Sequence, residues 1–569
     1  MRVLGINSIF HDPSAALVVD GVVVAAAEEE RFTRRKHGKR PVPFSAWEMP
    51  EQAARFCLDR AGLRPEQLDA VAFSYDPALA RTGSADVRAD AWEGLRTLYA
   101  EDSPGFLRSA LPGLDPERCH FVAHHLAHAA SAHLAGPFRS CSVLVLDGRG
   151  ERASHLAGRS LDGELEVLAS QELPHSLGLW YEAVTEHLGF LRSSDEYKVM
   201  AMASYGRPRF LDRLREAVRA TEDGGFVVGE HELASMAPAM STPGGWTEVH
   251  VDLACSVQRR LEEVLLDLVR WLHARTGDRC QAMAGGVALT CVANSRIAEE
   301  GPFERIWVQP AAGDAGTALG AALELARRLD EPVRGMPTAA LGREWGDDEL
   351  ERRLRTARVP FERPADLGAA VARILADDGV VAWFQGRSEY GPRALGHRSL
   401  LANPAHPGNL ARLNDIKGRE QFRPVAPMVL AERAAEIFEG PLPSPHMLFT
   451  HRVRPAWRER IPAVVHVDGT ARVQTVSRED EPLVAHMLDC LERCTGTPVA
   501  VNTSLNTAGR PMVDDPRDAL ECFGSAPLDA LAIGPFLVRR NGRGLGDGAR
   551  PAAGEAGWSA SGRDRMARS

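Results

Sequence analysis

The chain opens on a short apolar strand, Arg2 to Ile6, then a polar loop, Asn7 to Asp12, then AALVVDGVVVAAA, two β-rich runs flanking Asp20-Gly21. Asp-Gly between apolar runs predicts a tight two-residue hairpin, so the protein begins with a small meander of strands. HHLAHAASAHLA (124–135) reads as a helix rich in small residues, and a strand, Ser142 to Leu146, then runs straight into Asp147-Gly148-Arg149-Gly150. Two more strand-to-glycine junctions follow. One is AMAGGVALT, around Gly285-Gly286; in the other, strand Arg305 to Val308 leads through a Pro/Gly loop carrying Asp314 into a small-residue helix that starts near Ala315. Glycine permits close backbone approach, and a helix N-terminus beside it attracts anions. Three such junctions predict an α/β domain that binds a phosphorylated ligand. No GxxxxGK[ST] loop is present, and Gly148-Arg149-Gly150 lacks the third glycine of GxGxxG.

This first domain is expected over 1–340, with the Pro/Gly-clustered stretch 205–250 as an insertion or lid. Residues 341–365 are Pro- and charge-rich and read as a linker. A second domain, 366–540, opens on the amphipathic helix LGAAVARILADDG and the strand VVAWF, and ends past PVAVNTSLNTAG, a strand running into a polar loop. The Gly/Ala/Arg/Ser-rich tail, 541–569, is expected to be disordered.

Composition narrows the function. With 67 basic and 77 acidic residues the net charge is −10, a poor balance for binding nucleic acid or an anionic membrane. No apolar run approaches the ~18 residues of a membrane span, and MRVLGINSIFHD is too polar for a signal peptide. Nine cysteines without a CxxC pair argue for free thiols in a reducing cytoplasm, the expected location, and against a disulfide framework or zinc ribbon. Only four lysines occur, Lys36, Lys39, Lys198 and Lys417, among 67 basic residues. Where codon bias favours arginine, the lysines kept are candidates for work that needs a compact point charge rather than a planar fork.

His124 and His128 have the HxxxH spacing that puts two imidazoles on one helix face. With Asp147 and Asp314, each at a strand end, they would make a mixed nitrogen/oxygen set suited to iron, manganese or zinc; the same spacing also serves as a packing pair. His11 follows the first strand and has the chemistry of a general base near neutral pH, though loop histidines are commonly idle. EEERFTRRKHGKR concentrates Arg31, Arg34, Arg35, Lys36, His37, Lys39 and Arg40, either a phosphate grip or a salt-bridged face. In the second domain Arg387, Arg393 and Arg398 fall among glycines, followed by Lys417, Arg419, Arg423, Ser504 and Asn506. Arginine forks and hydroxyl donors at this density suit a triphosphate or acyl phosphate; plain surface arginines are the alternative.

In order along the chain, FHDPSAALVVDG, AEEERFTRRKH, HHLAHAASA, LVLDGRGE, YKVMAMASYG, AGGVAL, GDAGTALGAAL and GPRALGHRSLLANP resemble the O-carbamoyltransferases of natural-product biosynthesis, the NodU/CmcH family. The resemblance covers about residues 1–540. It implies an α/β chain: an actin-like (ASKHA, sugar-kinase-like) N-terminal domain plus a YrdC-like α/β C-terminal domain. It further implies that carbamoyl phosphate and ATP form carbamoyl-adenylate in the second domain, releasing phosphate and pyrophosphate. The adenylate would pass internally to the first domain, where a hydroxyl of a small-molecule natural product takes the carbamoyl group and AMP leaves, a step of antibiotic or other secondary metabolism. Enclosure would protect both labile carbamoyl compounds from water.

Residue by residue, the resemblance makes His124, His128, Asp147 and Asp314 the ligands of a divalent metal, iron first, with magnesium accompanying ATP. His11 becomes a base for the acceptor hydroxyl and Lys36 faces the adenylate, with Gly285 and Gly286 against the adenosine. Lys417 and Arg419 match a KxR motif, Ser504 and Asn506 an SxN motif, and Arg393, Arg398 and Arg423 would help hold phosphates. The partners implied are carbamoyl phosphate and a hydroxyl-bearing acceptor, with no nucleic acid and no membrane; a homodimer is the expected assembly.

The chain departs from the family at Thr290, where relatives have Asn, and at Ala201, where they commonly have Gly. Its SIFHD loop, which borders the acceptor pocket, is shorter than in the family's aminoglycoside enzymes, so the acceptor stays open. A tRNA threonylcarbamoylation-type enzyme would favour a basic surface, against the charge of −10. A non-catalytic nucleotide-sensing module would not need HxxxH, Asp147, Asp314, KxR and SxN together.

Overall fold

The computed structural model describes residues 1–38, 44–81, 91–230, 232–241, 243–507 and 509–540. Lys39, Arg40 and the tail 541–569 lie outside the described residues. Strands β1 (Arg2–Asn7), β2 (Ser14–Val19), β3 (Val22–Glu28), β4 (Ala70–Phe73) and β5 (Cys119–Phe121) form a sheet in the order β3-β2-β1-β4-β5. The first three make an antiparallel meander, and β4 and β5 add in parallel beyond β1. Asp20 and Gly21 both have positive φ, 49° and 71°, the geometry of the tight turn that matches strand twist.

A second sheet repeats that plan. It comprises β6 (Ser140–Leu146), β7 (Ala153–Leu161), β8 (Glu164–Glu172), β9 (Cys280–Ala284) and β10 (Arg305–Val308), in the order β10-β9-β6-β7-β8. Again the meander is antiparallel and the two later strands join in parallel through helical connections. Two copies of one sheet, each centred on the first strand of its meander, define the actin-like architecture.

Between the sheets lie helix α1 (His124–His133) and helix α2 (Ala315–Arg328). Both are rich in alanine, and residues 315 to 326 of α2 are all buried. At Gly320 a Cβ would stand 1.8 Å from the Ala127 carbonyl oxygen, so only glycine lets α2 press against α1 this closely. That contact brings the start of α2, with Asp314, to the histidines of α1.

Residues 205–250, irregular by pattern, hold a short helix, Leu211–Ala217, and an antiparallel pair, Val218–Ala220 with Phe226–Val228. Leu214, Val218 and Phe226 are fully buried in the core built around the long helix Glu248–Thr276. Elements this short carry no readable period, which is why the stretch looks structureless in sequence.

The C-terminal sheet has seven strands: β11 (Val381–Phe384), β12 (Arg398–Ala402), β13 (Ala426–Leu430), β14 (Gln474–Val476), β15 (Val499–Ser504), β16 (Ala530–Ile533) and β17 (Phe536–Arg539). Their order is β14-β13-β15-β12-β11-β16-β17. Within 341–365, helix Asp347–Thr356 and the bridge between Glu362 and Leu537 belong with this sheet.

The two halves meet closely. Arg31 is buried, paired with Glu28, and donates to the Gly391 carbonyl at 2.7 Å, while Gly391 N–H donates to Glu28 at 2.7 Å. Arg34 donates to the carbonyls of Pro511 and Met512. These two arginines of the basic cluster therefore clamp the halves together and are not free to grip phosphate. All nine cysteines are free thiols, and among the described residues no helix is long and apolar enough to cross a membrane.

Candidate active site

Four ligand-type side chains converge where α1, α2 and β6 meet. β6 ends at Leu146 and delivers Asp147, Asp314 precedes α2, and α1 presents His124 and His128 one turn apart. His124 Nε2 lies 3.5 Å from Asp147 Oδ2 and 3.6 Å from Asp314 Oδ1; His128 Nε2 lies 3.8 and 3.6 Å from the same atoms. His124, His128 and Asp314 are completely buried. Both Nε2 atoms and both Asp314 oxygens lack any hydrogen-bond partner. Buried orphans of this kind are costly unless something binds them. Two imidazoles and two carboxylates within 4.8 Å of one another fit a divalent cation.

The outer contacts support that fit. His124 Nδ1 faces the Ser74 carbonyl at 3.3 Å, which leaves Nε2 bare toward the cluster. Gly286 N–H donates to Asp147 Oδ1 at 2.8 Å. Gly285, at φ 91°, has no room for a side chain, since a Cβ would sit 2.1 Å from the Leu146 carbonyl oxygen. The glycine pair thus orients Asp147, and of the two only Gly286 borders the cavity beside it. Burial works against charge on His124, but Asp314 and Asp147 outweigh it and hold the imidazole well above its ordinary pKa.

His11 stands at the edge of the cluster, Nε2 3.8 Å from Asp314 Oδ2 and Nδ1 2.9 Å from Asp12 Oδ2. Asp12 is shared: its other oxygen is 2.9 Å from His37 Nδ1, and His37 Nε2 is 2.9 Å from Ser194 Oγ. Burial opposes charge on His11, yet Asp314 and Asp12 raise its pKa to about 10. The carboxylates that would accept a dication therefore also govern the protonation of His11.

In the C-terminal half, cations converge. Lys417 ends helix Gly408–Ile416, and its ammonium donates to the Ser504 carbonyl, to Ser504 Oγ at 2.9 Å and to Asn506 Oδ1. Burial, with Arg419 and Arg423 nearby, depresses its pKa strongly, a cost that an anion in the site would offset. Arg393 and Arg472 are half-buried and each keeps a buried, unpartnered Nε. Burial and mutual repulsion lower the pKa of Arg393, Arg419 and Arg472 alike. The Tyr197 ring, from the other half, lies 5.9 Å from Lys36 Nζ and 4.6 Å from the Arg423 guanidinium.

One cavity of about 450 Å³ runs between these places, with His11, Asp147 and Gly286 on its wall at one end and Arg423, Ser504 and Asn506 at the other. Lys36, Arg393 and Arg419 line it too, and Lys417 stands behind Ser504 and Asn506. A second cavity, about 480 Å³, shares His11 and Asp147 with the first and adds Asp314, Phe10 and Trp92 to its wall.

Arg398 is a correction. It is fully buried, stacks 3.8 Å from the Phe384 ring centroid and donates to the carbonyls of Arg343, Gln385, Gly386 and His397. A guanidinium so engaged holds the chain together and borders neither cavity. Sequence reading in turn passed over Arg472, which no motif marks, and Asp12, whose only signal is its place next to His11.

The comparisons agree on the family. Residues 2–323 match the family model described as Carbamoyltransferase N-terminus, and residues 372–540 the one described as Carbamoyltransferase C-terminus. The chain belongs to the carbamoyltransferase family and is a carbamoyltransferase, acting between a carbamoyl donor and an acceptor. It is 36% identical over 558 residues to Nodulation protein NolNO of Sinorhizobium fredii, covering 94% of this chain and 80% of that one. An uncharacterized protein of Synechocystis is also 36% identical, over 602 residues, covering 95% and 97%. Among solved structures, HypF of T. kodakarensis aligns with 58% of this chain and 48% of its own, at 14% identity and a TM-score of 0.37.

Proposed function

We propose that the chain is an ATP-dependent O-carbamoyltransferase that makes carbamoyl-adenylate at the cation cluster and transfers its carbamoyl group at the His11 site. The observation that carries this reading is the single cavity joining the two clusters, with a second cavity entering at His11. Phosphate, pyrophosphate and the adenylate balance only with one water, which cleaves carbamoyl phosphate to carbamate and phosphate. A carbamate oxygen then attacks the α-phosphorus of ATP and pyrophosphate leaves. Arg393, Arg419, Arg423 and the Lys417–Ser504–Asn506 group hold these phosphates and offset their charge. Passage along this cavity would limit the exposure of carbamate and adenylate to bulk water.

At the other end the acceptor hydroxyl enters through the second cavity. His11 Nε2 takes its proton once the Asp314 charge that raises the imidazole's pKa is offset, its oxygen bonds to the carbamoyl carbon, and AMP leaves with the bonding electrons. Asp12, at 2.9 Å from Nδ1, orients the imidazole for that task. A divalent ion held by His124, His128, Asp147 and Asp314 would supply Lewis-acid charge for the AMP phosphate; the donor set suits iron, manganese or zinc. The acceptor is a hydroxylated natural product, and the wall at Arg192 and Ser193 helps to select it.

The test is pyrophosphate release from ATP that depends on carbamoyl phosphate, with no acceptor added. Release by wild type and His11→Asn but not by Lys417→Ala supports two half-reactions at two sites. A folded wild type that binds ATP and releases none overturns the adenylate route.

A further inference from the structure

Lys198 has no part in the chemistry above, yet it is one of the four lysines in the chain. It sits on helix Glu196–Ala203, next to Tyr197, whose ring backs Lys36 and Arg423. Its ammonium lies 3.0 Å from Asp195 Oδ2 and 3.0 Å from Glu420 Oε1, above the Phe190 ring at 5.4 Å. Asp195 belongs to the N-terminal half and Glu420 to the C-terminal half, in the short stretch that also carries Arg419 and Arg423. The remaining Glu420 oxygen, Oε2, is 3.4 Å from Arg423 Nη1. The same stretch is gripped at Phe422, whose ring meets Tyr205 and Trp246 edge-on and whose carbonyl accepts from the Tyr205 hydroxyl at 3.3 Å.

A carboxylate beside two phosphate-holding arginines is a liability. Glu420 already meets Arg423 with one oxygen; free to turn, it would bring both to Arg419 and Arg423 and compete with the polyanion for them. We propose that Lys198 is a positioning residue for nucleotide binding: it holds Glu420 Oε1 across the junction of the halves, limits Glu420 to one contact with Arg423, and so leaves the other donors of the arginines to phosphate. This rests on the reading of the cation cluster as the ATP site. Two carboxylates from two segments converge on one nitrogen, a geometry that suits a point charge better than a planar fork.

The test is calorimetric binding of ATP, and of inorganic tripolyphosphate, to the full chain. Lys198→Met is expected to weaken both by about tenfold, the scale of one charge-assisted contact. The KM for ATP in pyrophosphate release rises in step, with kcat within about threefold. The double variant Lys198→Met with Glu420→Gln is expected to recover wild-type affinity within about threefold, because the competing charge is gone. A latch that merely held the halves together would not be rescued by losing its second partner. Lys198→Gln repeats the measurement if the methionine variant does not fold. The proposal is overturned if the single variant binds ATP like wild type, or if the double variant binds no better than the single. A wild type that binds ATP but releases no pyrophosphate would sink the adenylate route and leave this test intact.

Discussion

His11 Nε2 lies 3.8 Å from Asp314 Oδ2, and His11 is a wall residue of both cavities. One imidazole therefore stands where a donor arriving from the cation cluster and an acceptor arriving through the second cavity would meet. Asp314 is buried, carries no hydrogen bond and points at the histidines of α1, so the base and the ligand set are one electrostatic unit.

The two half-reactions separate by mutation. His11→Asn is expected to keep carbamoyl-phosphate-dependent pyrophosphate release within about threefold while carbamoyl transfer falls by about 100-fold or more, the scale of lost general-base catalysis. Lys417→Ala is expected to lose both, because no adenylate forms. Parallel assays of pyrophosphate and of carbamoylated acceptor check this, and equal loss of both activities in His11→Asn would refute it.

Metal content is expected to follow the orphaned atoms. Asp314→Asn removes a charge from the ligand set and His128→Ala removes one imidazole. Each should lower divalent metal per chain, measured by elemental analysis after gel filtration, with transfer falling by about 10- to 100-fold or more. Chelation of the wild type should reproduce the loss, and readdition of iron, manganese or zinc identifies which ion restores it.

Arg398 is expected to matter for stability rather than for phosphate affinity. Arg398→Met keeps bulk against Phe384 but leaves the carbonyls of Arg343, Gln385, Gly386 and His397 short of a donor. The cost is about 3 kcal/mol or more, read as a fall in melting temperature, with the KM for ATP little changed in the folded fraction. A raised KM at unchanged stability would return Arg398 to the phosphate site.

Glu29 links stability to pH. Burial raises its pKa from 4.5 to about 7, despite the N–H groups of Ala53 and Gln52 that donate to it. Between those values the folded chain holds a proton that the unfolded chain has released. Stability is therefore greatest below pH ~4.5 on this account and falls by about 3 kcal/mol as pH rises through 7. Glu29→Gln is expected to flatten that part of the profile, checked by melting temperatures at pH 5 and pH 8. An unchanged profile would show that another group sets it.

Local chemistry carried much of this protein from the sequence alone. Asp20-Gly21 demanded a turn with two positive φ angles and has it. The strand Arg305–Val308 begins and ends at the residues its pattern marks, and HxxxH could only put His124 and His128 on one face of a helix. Such features depend on a few neighbouring residues, so spacing and turn chemistry suffice to read them. What the tertiary structure decided lies between segments far apart in sequence. Whether Arg398 faces a phosphate or four carbonyls depends on where the chain around Arg343 and Gln385 returns to it. Arg31 and Arg34 look like a phosphate grip until the C-terminal half supplies Gly391, Pro511 and Met512 as their partners. The link from Lys198 to Glu420 spans the two halves and has no local signature. A long cationic side chain reaches many positions from one backbone site, and which of them it takes is settled by the packing that surrounds it.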